Sequence, residues 1–301
     1  MTPVLARVRP AIAAGRALHA PARIVAGDGR PGRPLESRID PLPASMSPPG
    51  RPQGAFRCAQ HEGTSVSQES APGLFHQGFT PPLALADFRL VAFDMDSTLI
   101  SIECVDEIAA AAGRRAEVGA ITEAAMRGEI ADYKDSLRRR VALLAGVPVA
   151  ALDEVLARRL RINPGVEPFV AACRAAGLKS LLVSGGFTWF SEPVRRRLRL
   201  DFARANVLEV ADGRLTGRMV DRPWGDIVDG AEKRRVLLEV CELMGIAPAQ
   251  AIAVGDGAND LPMMEVAGLS VAFHAKPAVR DRAMVSIETG GMDRLLELVR
   301  P

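Results

Sequence analysis

The sequence predicts an α/β protein built on a Rossmann-like, doubly wound parallel sheet, with a small helical bundle inserted after the first strand. Apolar runs of about four residues, typical of strands buried on both faces of a parallel sheet, recur along the chain at 90–93, 180–183 and 251–254. Each run is followed at once by polar or glycine residues, and amphipathic segments separate the runs. Ligands of open α/β sheets bind beyond the carboxyl ends of the strands, so these three strand ends predict the site.

Composition bounds the class of protein. The chain has 301 residues, of which 48% are apolar, so it can bury the core of one catalytic domain with a smaller domain beside it. A net charge of +2 indicates no particular partner. The arginine-rich stretch 195–199 lacks the interleaved aromatic residues of a nucleic-acid surface, so we expect no nucleic-acid partner. The sequence contains no run of about 18 apolar residues, so we expect no membrane span. The four cysteines are scattered and form no Cys-x-x-Cys pair, which fits a reducing cytoplasm.

Residues 1–85 differ from the rest of the chain. They are rich in Pro, Gly, Ser and Arg and show no sustained period of about 2 or 3.6 residues, so we predict that they are disordered. The first 34 residues contain six arginines and a single acid, Asp28, as a targeting segment does. We favour a mis-assigned translation start over a targeting segment, and Met46 is one candidate for an internal start. A genuine amino-terminal extension is the third alternative.

The first motif follows the run 90–93 directly. Asp94 and Asp96 are spaced i, i+2 and precede Ser97 and Thr98. Two close carboxylates raise one another's pKa unless a cation lies between them, which favours a bound Mg²⁺. The same residues also suit an ordinary turn after a strand. The three further signals downstream favour a site.

A helical insertion begins at Glu103. Apolar residues recur at helical spacing in four successive stripes, over 105–112, 118–125, 133–144 and 149–160. We predict a bundle over residues 103–162, inserted into a catalytic core of residues 86–102 and 163–301. Arg140 falls on the inward edge of the third stripe. It is either a functional residue or a side chain that reaches to solvent from the edge of the bundle.

The second and third signals are a glycine turn and a lysine. Ser184 and Gly185 follow the run 180–183, and the segment leaves backbone N–H groups and a hydroxyl for an anion, although a plain turn would also explain it. A hairpin is predicted from 206–210 and 215–220. Lys233, near the start of a helix over 231–244, is one of only four lysines and is otherwise an ordinary surface residue.

The fourth signal follows the run 251–254. Asp256, Asn259 and Asp260 lie on a glycine-rich turn, where carboxylates spaced i, i+4 are poor for stability but suited to a hydrated Mg²⁺. Further strands at 269–273 and 284–287 and a closing helix at 292–299 complete the predicted fold.

Taken in order, Asp-x-Asp-x-Thr, Ser-Gly-Gly, Lys and Gly-Asp-Gly-x-Asn-Asp resemble the four motifs of the haloacid dehalogenase-like phosphatases. The resemblance covers about residues 87–300, and the helical insertion resembles the small cap domain of that superfamily. The motif sequences are similar to those of members that hydrolyse O-phosphoserine. Residues 1–85 do not resemble the regulatory amino-terminal domain that some members carry.

The resemblance implies a Mg²⁺-dependent hydrolysis of O-phosphoserine to serine and phosphate, the last step of serine biosynthesis, through an aspartyl-phosphate. Asp94 would be the nucleophile, and Asp96 the general acid and base, with Lys233 as a further catalytic residue. The implied metal ligands are Asp94, the backbone carbonyl of Asp96 and Asp256, with Asp260 in support. The implied substrate contacts are Ser184, Gly185 and Lys233 for the phosphoryl group, Asn259 beside it, Glu103 for the α-ammonium and Arg140 for the α-carboxylate.

Alternatives remain at this point. The same core would suit another small phosphomonoester, such as phosphohomoserine or phosphoethanolamine, or transfer of phosphate to a second alcohol. A phosphoaspartate receiver or an inactive binding module would carry neither Ser-Gly-Gly nor a cap, and a fragment of a P-type ATPase would need membrane helices. We expect a cytoplasmic enzyme, either a monomer or a homodimer.

Overall fold

A mostly parallel sheet organises the fold. The computed structural model describes residues 67–126, 129–221 and 225–301. The strands in these residues are Gln68–Ala71 (β1), Leu74–His76 (β2), Leu83–Ala84 (β3), Leu90–Phe93 (β4), Lys179–Phe187 (β5), Phe202–Asn206 (β6), Leu208–Ala211 (β7), Arg214–Met219 (β8), Ala251–Gly255 (β9), Leu269–Phe273 (β10), Val285–Ile287 (β11) and Val299–Arg300 (β12). The main sheet has the order β1-β2-β11-β10-β9-β4-β5-β6.

The helices follow the predicted alternation. Those in the described residues are Cys104–Ala111 (α1), Arg115–Met126 (α2), Tyr133–Ala142 (α3), Val149–Arg158 (α4), Val166–Ala175 (α5), Thr188–Leu198 (α6), Gly230–Met244 (α7), Leu261–Met264 (α8) and Pro277–Arg280 (α9). None of them is both long and apolar enough to cross a membrane.

Helices cover both faces of the sheet. The side chains of β4 alternate between two buried clusters: Val91 and Phe93 pack with α5 and α6, whereas Leu90 and Ala92 pack with α7 and α8. Phe93 meets Phe169 of α5 edge to face, with ring centroids 6.1 Å apart. The predicted doubly wound α/β class is therefore confirmed.

The register of the central strands brings the motifs together. β4 lies between β5 and β9 and runs parallel to both, with Phe93 opposite Leu182 and Val254. The residues that follow these strand ends therefore share one edge of the sheet.

The helical insertion lies between β4 and α5, where the sequence predicts it. Its helices α1–α4 bury one apolar side chain or more each, among them Ile108, Val118, Leu137 and Leu152. Asp132 caps α3 by accepting a hydrogen bond from the backbone N–H of Lys134. The boundaries 103–162 and the function of this insertion as a cap stay predictions.

The prediction of disorder over residues 1–85 is wrong for residues 67–85. β1 and β2 form a hairpin, β2 pairs antiparallel with β11, and β3 pairs with β12. Strands of two to four residues separated by Pro and Gly give almost no periodic signal, and they are stabilised by pairing with strands about two hundred residues further along the chain. The catalytic core therefore begins before residue 86. Residues 1–66, with Met46, lie outside the described residues.

Three local predictions also need correction. Ser184–Gly186, predicted as a turn, continues β5 through a register shift between Val183 and Phe187. Asn206, predicted to open the hairpin, ends β6, and the hairpin consists of β7 and β8. The predicted closing helix is a 3₁₀ helix over Met292–Glu297, followed by β12.

Strand β2 should contribute to the stability of the fold. Leu74 of β2 is fully buried, so Leu74→Ala should lower the free energy of unfolding by about 2–5 kcal/mol, because it leaves a cavity in the core. The measurement is urea denaturation of the full chain. Leu243→Ala is the matched control, since Leu243 is 74% exposed and its truncation should change little. Equal, small effects of both variants would show that β2 contributes nothing to the stability of the core.

Candidate active site

A buried lysine joins two of the predicted motifs. Lys233 of α7 is fully buried, and its Nζ lies 2.7 Å from Asp94 Oδ1 and 2.6 Å from Asp260 Oδ1. Burial alone would lower the pKa of Lys233, but the two carboxylates outweigh it and raise the pKa. The lysine therefore stays charged and fixes Asp94 relative to the loop after β9.

Three carboxylates lie close together where β4 and β9 end. Oxygen atoms of Asp94, Asp256 and Asp260 lie within 4.8 Å of one another. Burial, reinforced by Asp260, raises the pKa of Asp256 to about 7, and burial also raises the pKa of Asp94. Thr98 Oγ1 donates to Asp256 Oδ1 at 3.0 Å. Such a concentration of oxygen ligands fits a hard divalent cation.

Asp260 already has partners in the protein. Besides Lys233, it accepts hydrogen bonds from the backbone N–H groups of Asp256 and Gly257, at 3.2 and 3.0 Å. Gly255 makes room for this arrangement, because a Cβ at that position would lie 2.4 Å from Asp260 Cγ. Asp260 thus shapes the loop, while Asp94 and Asp256 retain more capacity for a ligand.

Asp96 is held apart from the three carboxylates. Its Oδ2 accepts a hydrogen bond from the backbone N–H of Cys104 at 3.2 Å, and its Oδ1 one from Cys104 Sγ at 3.0 Å. Burial and the nearby Glu103 raise the pKa of Asp96 to about 7. A carboxyl group that titrates near neutrality can both donate and accept a proton.

A cavity of about 390 Å³ opens in front of these groups. Of the residues predicted from the sequence, it is lined by Asp94, Asp96, Glu103, Arg140, Ser184, Gly185, Asp256 and Asn259. Lys233 and Asp260 are not in its wall, since both are buried behind Asp94. The structure therefore gathers all of the predicted residues into one region, with two of them in supporting positions.

The Ser-Gly-Gly segment forms one wall of the cavity. Ser184 Oγ accepts a hydrogen bond from the backbone N–H of Gly186 at 2.9 Å. Asn206 braces the segment from behind, because its Nδ2 donates to the carbonyl oxygen of Gly185 at 2.9 Å and its Oδ1 accepts from the N–H of Val228 at 3.0 Å.

Three charged side chains of the helical insertion, Glu103, Asp106 and Arg140, form another part of the wall. Glu103 Oε1 accepts a hydrogen bond from Ser97 Oγ at 2.7 Å. Arg140 Nε and Asp106 Oδ1 are both buried, and neither has a hydrogen-bond partner among the residues that the structure describes. A donor and an acceptor of opposite charge are thus left for a ligand, and buried groups of this kind normally have partners.

The motifs of this site match a known family. The family model for haloacid dehalogenase-like hydrolase matches residues 91–265, which is more than half of the chain and includes both Asp94 and Asp256. The chain belongs to the haloacid dehalogenase-like hydrolase family. Members of this family typically use a metal ion, and the three converging carboxylates fit one.

Several proteins similar to this haloacid dehalogenase-like hydrolase are named phosphoserine phosphatase. One from Albidiferax ferrireducens is 69% identical over 231 residues, which cover 77% of this chain and 98% of the relative. One from Polaromonas sp. is 68% identical over 232 residues and covers the same shares. A solved structure of a phospho-aspartyl intermediate analogue of phosphoserine phosphatase is 36% identical, with a TM-score of 0.65, and the match covers 71% of this chain and 99% of that one.

Sequence reasoning missed four residues of the site. Cys104 holds Asp96, Asn206 braces Gly185, and Asp106 and Tyr133 line the cavity. Only Asp106 had a local signal, since it lies three residues after Glu103 and so on the same side of α1. The others depend on contacts between segments far apart in sequence.

Proposed function

We propose that this enzyme hydrolyses O-phosphoserine to serine and phosphate. The main support is that one cavity is lined by three groups: Asp94, which Lys233 fixes in place; the guanidinium of Arg140, whose buried Nε has no hydrogen-bond partner among the described residues; and the carboxylate of Glu103. The first group suits a phosphoryl acceptor, and the other two suit the carboxylate and ammonium of an amino acid. The names of the relatives at 69% and 68% identity support the same substrate.

In the first step Asp94 attacks phosphorus and the bond to the serine oxygen breaks. A carboxylate is both a nucleophile and a good leaving group, so the aspartyl-phosphate can form and be hydrolysed. Lys233 holds Asp94 in place, and its positive charge offsets part of the repulsion between the carboxylate and the approaching phosphate. Asp96, with a pKa near 7, donates a proton to the departing serine oxygen.

In the second step water attacks the phosphorus of the aspartyl-phosphate, the bond between phosphorus and the Asp94 oxygen breaks, and phosphate is released. Asp96 has lost its proton in the first step and now accepts one from the water, which restores both Asp94 and Asp96. Its two hydrogen bonds from Cys104 keep the carboxylate at the same place in both steps.

The carboxylates of Asp94 and Asp256 and the backbone carbonyl of Asp96 would hold Mg²⁺. The ion would supply positive charge that offsets the repulsion between the nucleophile and a phosphate dianion. Ser184, Gly185 and Asn259 line the cavity beside Asp94, where they would bind phosphoryl oxygens and the adjoining part of the substrate.

The helical insertion would supply the specificity. Arg140 would bind the α-carboxylate through its fork of N–H groups, and Glu103 would accept from the α-ammonium. Lys134 ties α3 to the loop before α7, with Nζ 2.7 Å from Asp226 Oδ2 and 3.3 Å from Asp229 Oδ2. This contact holds the amino-terminal end of α3 beside that loop, which suits a cap that closes on the substrate and excludes water.

A panel of phosphomonoesters tests the proposed substrate. Phosphate release from O-phosphoserine in the presence of Mg²⁺ should exceed release from phosphoethanolamine, which lacks the carboxylate, and from phosphohomoserine, which is longer by a methylene group. p-Nitrophenyl phosphate reports on the reacting end alone. Similar kcat/KM for all four substrates would contradict a site that recognises phosphoserine.

Mg²⁺ should stabilise the protein more strongly as pH rises. Without a metal, the folded protein keeps protons on Asp94 and Asp256 to higher pH than the unfolded chain does, so its stability falls as pH rises through about 7. Mg²⁺ binds the deprotonated carboxylates and removes this loss. The gain in melting temperature on adding millimolar Mg²⁺ should therefore be larger at about pH 8 than at about pH 6. An equal gain at both pH values, or an unchanged gain in Asp256→Asn, would place the ion elsewhere.

A further inference from the structure

The hydroxyl of Tyr133 lies at the phosphate end of the cavity. Tyr133 is the only tyrosine of the chain and opens helix α3. Its ring packs against the core and its side chain lines the cavity. A Cβ built on Gly185 would lie 2.1 Å from the hydroxyl oxygen, so the hydroxyl rests directly on the backbone of the Ser-Gly-Gly segment.

This hydroxyl has no partner within the part of the chain that the structure describes: no hydrogen bond joins it to any of those residues. Tyr133 is half-buried and lines the cavity, so a ligand in the cavity can reach its hydroxyl. Burial raises the pKa of Tyr133 to about 12, so the group is a neutral donor at physiological pH.

The position of Tyr133 on α3 indicates which end of the substrate it contacts. Tyr133 and Arg140 are seven residues apart, so they lie on the same side of the helix and are separated by about 10 Å along its axis. Arg140 is at the end proposed for the amino acid. Tyr133 is at the other end, against Gly185.

We propose that Tyr133 is a further catalytic residue, whose hydroxyl donates a hydrogen bond to a phosphoryl oxygen of the bound substrate. This inference rests on the proposed function, since it uses the assignment of Gly185 to the phosphoryl group. Helix α3 then contacts both ends of the substrate, the phosphoryl group through Tyr133 and the carboxylate through Arg140. The glycine at position 185 is consistent with this role, because a Cβ there would lie 2.1 Å from the Tyr133 hydroxyl oxygen in its present position.

Tyr133→Phe tests the inference, because it removes one donor and keeps the ring. Hydrogen bonds to charged groups are strong enough that kcat/KM should fall about tenfold or more for O-phosphoserine. It should fall by a similar factor for p-nitrophenyl phosphate, and inhibition by inorganic phosphate should weaken in parallel. The melting temperature should change little. The control variant is Arg139→Ala, which removes an exposed arginine of the same helix and should leave kcat/KM unchanged for both substrates.

The outcomes separate this inference from the proposed function. Unchanged kinetics in Tyr133→Phe would overturn it, as would a loss confined to O-phosphoserine, since the hydroxyl would then contact the amino-acid end. If the wild type shows no preference for O-phosphoserine, the proposed substrate fails. A fall in aryl phosphate hydrolysis in Tyr133→Phe would still support the contact with the phosphoryl group.

Discussion

Asp94→Asn should lower the turnover of O-phosphoserine by on the order of 10⁴-fold or more and leave the fold intact. An amide neither attacks phosphorus nor forms a phosphoenzyme. Lys233 keeps Asp260 as a partner at 2.6 Å, so the substitution does not strand a buried charge. The measurement is phosphate release under saturating Mg²⁺, together with a melting curve.

Asp135→Asn is the matched control for this substitution. Asp135 lies on the exposed side of α3, where it pairs with Arg139, so the same chemical change there should leave turnover within about twofold of the wild type. Substantial residual turnover in Asp94→Asn, with the melting temperature unchanged, would move the nucleophile to another residue.

Arg140→Ala should reduce kcat/KM for O-phosphoserine by about tenfold to a hundredfold, mainly through KM. In the proposed binding mode Arg140 donates to the carboxylate of the substrate and not to the reacting phosphoryl group, so kcat/KM for p-nitrophenyl phosphate should be nearly unchanged. Glu103→Gln should behave in the same way, because it weakens the contact with the ammonium group.

The same helix offers a control for Arg140. Arg139 is exposed and pairs with Asp135, so Arg139→Ala removes an arginine from α3 without touching the cavity. It should leave both substrates unchanged. An equal loss for both substrates in Arg140→Ala would assign Arg140 a structural role and remove the main support for an amino-acid phosphate.

Much of the site is predictable from the sequence because its signals are local. Asp94 and Asp256 each follow a four- or five-residue apolar strand, and parallel strands end at one edge of a sheet, so proximity in space follows from position in the chain. Arg140 stands out as a charge on an apolar helical stripe. Both signals follow from the spacing of apolar residues and from the order of the motifs along the chain, which can be read from the sequence.

Other features depend on contacts that no local pattern records. Tyr133 and Asn206 meet Gly185 from segments that are far apart in the chain, and neither interrupts the pattern of its own element. Strand β2 has three residues and exists because β11 pairs with it. In the sequence Lys233 looks like an ordinary helical lysine, and only the fold shows that it lies between two carboxylates.

During turnover, O-phosphoserine should transfer its phosphoryl group to Asp94. The most direct test of this transfer is to quench the enzyme during turnover of radiolabelled O-phosphoserine and to identify the labelled peptide. We expect a hydroxylamine-sensitive label on the peptide that contains Asp94, and no label in Asp94→Asn. Label on a different residue, label that persists in Asp94→Asn, or turnover with no labelled protein under any quench condition would contradict transfer to Asp94.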